Sequence, residues 1–144
     1  MNLSKKIKIA ALMVAAFFVT GCGNEVNLGY VDGNRIMNES AQIKGIMEEG
    51  ANKIEEIQQQ TTAEIEDNPD LTDEEISQKN AELQRKLIGI NQAYATQIRH
   101  KLDEALAGIA QEKNLGVVVD SSASQKIVFH GGIDVTEDVL KKLQ

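Results

Sequence analysis

Proline, cysteine and aromatic side chains are scarce in this sequence, and tryptophan is missing. Its 144 residues include one Pro, one Cys and 3% aromatics. A lone cysteine excludes any disulfide within the chain. So few aromatics argue against a dense globular core along the whole length, and a single proline suits a helix-rich, elongated protein. The motifs of catalysis are also missing: there is no Gly-rich phosphate loop, nucleophile elbow or HExxH. His100 lies between Arg99 and Lys101 on a helical stretch, and His130 precedes Gly131-Gly132 in a turn. Two histidines in such unlike contexts make no metal spacing. The chain is therefore read as a non-enzyme without metal or cofactor.

What is present is helical patterning. From Arg35 to Glu66 the apolar positions Ile36, Ile43, Met47, Ile54 and Ile57, with the weaker Ser40, Gly50 and Thr61, alternate in steps of four and three. From Asp73 to Lys113, Ile76, Leu83, Leu87, Ile90 and Tyr94 do the same, with Asn80 filling one step. This is a heptad seam, one narrow apolar stripe per helix. Between the arms, Pro69 forces Asn68 out of helical geometry. Thr72 followed three residues later by Glu75 is a capping box for the second arm, with Asp73 and Glu74 favourably placed in its first turn. The short break predicts that the arms fold back antiparallel, with partner numbers summing to about 141 on a chain centred near Pro69. Ile57 then faces Leu83 or Leu87, Ile54 faces Leu87, Met47 faces Tyr94, and Ile43 faces Ile98, with the sum drifting by a turn because neither arm is perfectly regular. Gly50 on the seam either lets the helices approach or leaves a weak point. The arms are unequal, about 48 Å against about 62 Å at 1.5 Å per residue. After Tyr94 the apolar steps run through Ile98, Leu102, Ala105 and Ile109, a stutter where the helix enters a base.

Residues 1–21 read as an export signal: Lys5, Lys6 and Lys8, then an apolar run from Ile9 to Val19, shorter than the roughly 20 residues that span a bilayer. The ending Val19-Thr20-Gly21-Cys22 resembles the lipobox of bacterial lipoproteins. The resemblance implies cleavage before Cys22 and a diacylglycerol on its thiol; the alternative is an ordinary signal with a chance cysteine. Gly23 follows, not the Asp that retains some lipoproteins at the inner membrane. Residues 22–27 are a polar tether. The mature chain carries 12 basic and 22 acidic side chains, a net charge of −10. That balance argues against nucleic acid and against electrostatic adhesion to anionic lipid, so membrane attachment rests on acyl chains.

Residues 28–144 read as one domain. Leu28-Gly29-Tyr30-Val31 is a strand and Asp32 or Asn34 a helix cap. Asn114 and Gly116 stop the second arm. Gly116 to Asp120 and Lys126 to Phe129 are further strands, and Thr136 caps a last short helix ending in Lys141-Lys142-Leu143. Strands from both ends of the chain meet in one sheet too small to be stable alone, so oligomerisation is the remaining stabiliser, with Val118 and Phe129 in the shared core. The fold class is α+β, mostly α: a long antiparallel helical hairpin on a small β body.

The pattern Gly29-Tyr30-Val31-Asp32, a long charged hairpin, Leu115-Gly116-Val117-Val118-Val119-Asp120, then Asp134-Val135-Thr136-Glu137-Asp138-Val139-Leu140-Lys141-Lys142-Leu143 resembles the Skp/OmpH family of periplasmic chaperones across the mature chain. The resemblance implies a homotrimer whose three coiled-coil hairpins hang like tentacles around a cavity. It implies that unfolded outer-membrane or envelope proteins are held there without ATP. Ile46, Ile65 and Ile88, off the seam, are then the candidate client-facing residues; the alternative is that they simply widen the packed stripe. Well-studied members are basic and soluble, whereas this chain is acidic and carries a lipobox. It is therefore expected in the periplasm, anchored by Cys22, with the outer membrane favoured where the cell has one. The other reading is a lipid-anchored coiled-coil spacer or adaptor that holds no clients.

Overall fold

A computed structural model describes residues 27–122 and 131–144. The elements run β1 (Leu28–Val31), α1 (Gly33–Glu39), α2 (Ala41–Glu66), α3 (Asp73–Glu112), β2 (Val117–Asp120), β3 (Ile133–Asp134) and α4 (Thr136–Lys142). The chain is thus mostly helical with one small sheet. The segment of the signal, Cys22 and the strand expected at Lys126–Phe129 lie outside the described residues.

The sheet is ordered β2-β1-β3. Both outer strands are parallel to β1, with Leu28 opposite Val117 and Gly29 opposite Val118 and Ile133. Helices α1 and α2, the end of α3, and α4 converge on one face. There Val31, Ile36, Ile43, Ala105, Ile109, Val135, Val139, Leu140 and Leu143 form the core. Ile43 and Ile109 are completely buried, each worth about 1.5–3 kcal/mol relative to exposure. The core therefore joins residues from both ends of the sequence.

The first arm is not one helix. It breaks at Ser40, which takes extended backbone (φ −69°, ψ 126°) between α1 and α2. Its hydroxyl caps α2 by accepting from the Ile43 N–H at 3.2 Å and donates to the Leu143 carbonyl at 2.8 Å. A position that looked like a weak seam residue is a fully buried polar joint. Asp32 caps α1, accepting from the Arg35 N–H. The capping box is present: the Thr72 hydroxyl accepts from the Glu75 N–H, and the Glu75 carboxylate accepts from the Thr72 N–H at 2.9 Å. Asn114, at φ 52°, ends α3 in the left-handed region that Asn tolerates. Thr136 is not a cap but the first residue of α4. Its N–H is taken by the Asp134 carboxylate, and its hydroxyl accepts from the Asp32 N–H at 2.9 Å.

Helices α2 and α3 lie antiparallel, within a turn of the register the spacing predicts but with a different partner for Tyr94. Glu64 pairs with Lys79 at 2.7 Å, and the ring of Tyr94 sits over Gly50, not Met47. These partners sum to 143 and 144. The ring needs a gap, and Gly50 is the stripe position without a side chain; Met47 is left 48% exposed. The stripe itself departs from heptads. The covered positions of α2 are 43, 46, 50, 54, 57, 61 and 65, and those of α3 begin 76, 79, 83, 87, 90, 94 and 98. Steps of three, four and four repeat every eleven residues: Ile43, Ile54 and Ile65 on one arm, Ile76, Leu87, Ile98 and Ile109 on the other. Such a period calls for right-handed winding where heptads give left-handed winding.

Candidate functional site

Two surfaces carry the chemistry of this molecule: the flanks of the helical pair and the base beneath it. One flank is charged. Glu64 with Lys79, Lys53 with Glu56 at 2.7 Å, and Lys86 with Glu82 at 2.9 Å lie along it. The Lys79, Lys53 and Lys86 ammonium groups hold the Glu64, Glu56 and Glu82 carboxyls below their ordinary value. Burial against the partner helix, then the nearby Glu49 carboxylate, raise the Tyr94 phenol. These exposed pairs are worth little individually. Only Glu64–Lys79 crosses between the arms, the other two lying within one helix each, and none offers a proton relay.

At the base, an open apolar cleft of roughly 330 Å³ is lined by Val31, Ile36, Met37, Leu102, Leu106 and Asp120, among others. The Asp120 carboxylate accepts from the Gly33 N–H at 3.0 Å and from the Ser122 N–H and hydroxyl at 2.8 and 2.9 Å. Partial burial pushes its pKa up, but these donors outweigh it and hold the group below its ordinary value. Asp120 is thus a fixed anion that ties β2 to the start of α1. Arg35 bridges Glu39 and Glu137, both at 2.8 Å, pinning α1 to α4, and its pKa rises accordingly. Among the described residues, no group of three or more His, Cys, Asp or Glu could hold a metal. No helix among them is long and apolar enough to cross a membrane.

Among the described residues, those singled out from the sequence are not brought together. Ile46 and Ile65, read from spacing as off the seam, fall within the stripe that α2 turns towards α3 and are partly covered. This fits the alternative that they widen the packed stripe, and an eleven-residue period selects Ile46 where heptads select Met47. Ile88 is 56% exposed. Val118 is half-buried and packs on its own chain's core. Cys22 and Phe129 lie outside the described residues. Sequence reasoning missed Met47, Val117 and Ile133 as exposed apolar side chains. The parallel register that places Val117 and Ile133 at one end of the sheet has no local signal.

Fold and surface define a class: an α+β, mostly helical protein in which two long helices of unequal length stand on a small parallel sheet. Residues 72–143, half of the chain, match the model of the family described as outer membrane protein (OmpH-like), and the chain belongs to that family. The match starts at the Thr72 cap and covers α3, both outer strands and α4. No curated protein matches the chain.

Proposed function

We propose that the chain is an ATP-independent periplasmic holdase for unfolded outer-membrane or envelope proteins, and not an enzyme. Membership of the OmpH-like family carries this reading. The arms support it physically. Along the shaft of α2 only Ile43 and Gly50 are fully buried, so the hairpin is held by a thin stripe that can loosen locally without unfolding the base. Met47 and Ile88 stay exposed on it. With a mature net charge of −10, client holding rests on such apolar contacts and is insensitive to salt.

The protein works as a homotrimer. Among the described residues, β2 and β3 end the sheet on its two sides, and an open sheet edge presents unpaired backbone groups that a second copy can pair. Phe129 serves that assembly, with Val118 contributing only the part of its side chain that its own core leaves uncovered, and Cys22 carries the lipid anchor. Co-sedimentation tests the function. The mature protein and a β-barrel protein diluted from denaturant should migrate as one soluble complex without nucleotide, and Met47→Glu with Ile88→Glu should weaken it. Free client aggregates beside unbound protein would leave the spacer reading.

A further inference from the structure

We infer that the end of the β-base where the three strands begin rests on the lipid bilayer, so that the helical pair projects away from the membrane. The inference rests on the lipid anchor proposed above. Because β2 and β3 both run parallel to β1, their first residues lie at the same end of the sheet: Val117 opposite Leu28, and Ile133 opposite Gly29. In the single chain Val117 is 43% exposed and Ile133 44%, and with Met47 and Ile88 they are the exposed large hydrophobics of the described residues; as the first residues of their strands they lie at the end of the sheet, where pairing along a strand edge leaves them open.

Among the described residues, the groups at this rim are amides, glycines and apolar side chains. The Asn27 amide donates to the Asn114 carbonyl, and the Gly116 N–H donates to the Asn27 carbonyl at 2.9 Å. Beside Ile133 stand Gly131 and Gly132. The nearby Lys113 is paired with Asp138 at 3.1 Å. An acidic protein is repelled by anionic headgroups, so its neutral apolar end is the part that can approach them.

Chain length selects the same end. Six residue steps separate Cys22 from Leu28, with Glu25 the only charge between them. Fully extended they reach about 20 Å. A diacylglycerol at Cys22 therefore keeps the rim next to the headgroups, at an effective concentration where a weak apolar contact is populated. The tip is at the opposite end: α3 starts there at Asp73 and finishes at Glu112, just before β2, and its 40 residues span about 60 Å. Lipid is thus the occupant that fits this surface, and clients entering from the tip would meet no bilayer.

The absence of tryptophan permits a direct test. Val117→Trp, Ile133→Trp and, at the tip, Asp70→Trp are made in the full lipidated chain and reconstituted into phosphatidylcholine vesicles with or without brominated acyl chains. Circular dichroism checks folding, and Asn27→Trp at the same rim serves if a strand variant unfolds. The rim reporters should shift to shorter wavelength and lose most of their emission in brominated vesicles, while Asp70→Trp does neither. Rim quenching no greater than at the tip overturns the inference. So does a blue shift without quenching, which is the signature of a rim covered by a second copy. Mass spectrometry of the N-terminus separates the two levels. A chain without lipid on Cys22 defeats the anchor and this inference together, whereas a lipidated chain with unquenched rim reporters defeats the inference alone.

Discussion

Ser40 and Gly50 show how much single positions decide in this chain. Ser40 carries the junction of α1, α2 and the C-terminus through one buried hydroxyl. Ser40→Ala removes the cap and strands the Ile43 N–H, while the Leu143 carbonyl keeps the Gln42 N–H at 3.1 Å. Urea unfolding should show a loss of about 1–2 kcal/mol; an unchanged midpoint would contradict the joint. Two glycines of α2 should respond in opposite directions. A Cβ on Gly45 meets nothing within 4 Å, so Gly45→Ala should stabilise by about 0.5–1 kcal/mol. A Cβ on Gly50 would stand 3.0 Å from the Tyr94 ring, so the bulkier Gly50→Val should cost about 1–3 kcal/mol by overpacking. Equal shifts of the same sign would refute the placement of Tyr94. The Thr72–Glu75 box was legible in the sequence because both partners are local. The break at Ser40 was not, because its partner Leu143 is 103 residues away.

Among the elements, the two long helices were legible from their periodicity and the single Pro69. Their fine register was not. Ile46 and Met47 are adjacent and both apolar, so spacing alone does not say which one faces the partner, and that one choice separates heptads from an eleven-residue repeat. A disulfide test in a Cys22→Ser background follows: Gly50→Cys with Tyr94→Cys should crosslink within one chain, and Met47→Cys with Tyr94→Cys should not. The reverse result would restore the register summing to 141. The tip should also loosen in acid. Hydrogen bonds from the Thr72 N–H and hydroxyl hold the Glu75 carboxyl below its ordinary value of 4.5, and Lys79 and Lys86 do the same for Glu64 and Glu82. A lowered folded-state pKa gives stability that is present above the ordinary value and lost as pH falls through the lowered one. Hydrogen exchange around residues 60–86, corrected for intrinsic rates, should therefore be faster at about pH 3 than at about pH 7. Unchanged protection would show that these carboxylates do not hold the tip.

For the whole molecule, the sequence carried the family through its ending, the strand at Leu115 to Asp120 and the helix from Thr136, and the family match covers both. Strands β1 and β2 were legible from the two ends of the chain, but not β3, whose residues read as the lead into the last helix, nor the order with β1 in the middle, nor the partial burial of Val118 on its own core. Those follow from packing between residues some ninety positions apart. Assembly is expected at this scale too: sedimentation of the mature chain should give three times the monomer mass, and a monomer at micromolar concentration would remove the cavity on which holding depends. The measurement closest to the central claim is light scattering from a urea-denatured β-barrel protein diluted into buffer with the mature chain present, without ATP, at low and at high salt. Suppressed scattering at both salt concentrations is the predicted result. Scattering that rises as fast as it does without the protein would contradict the holdase account.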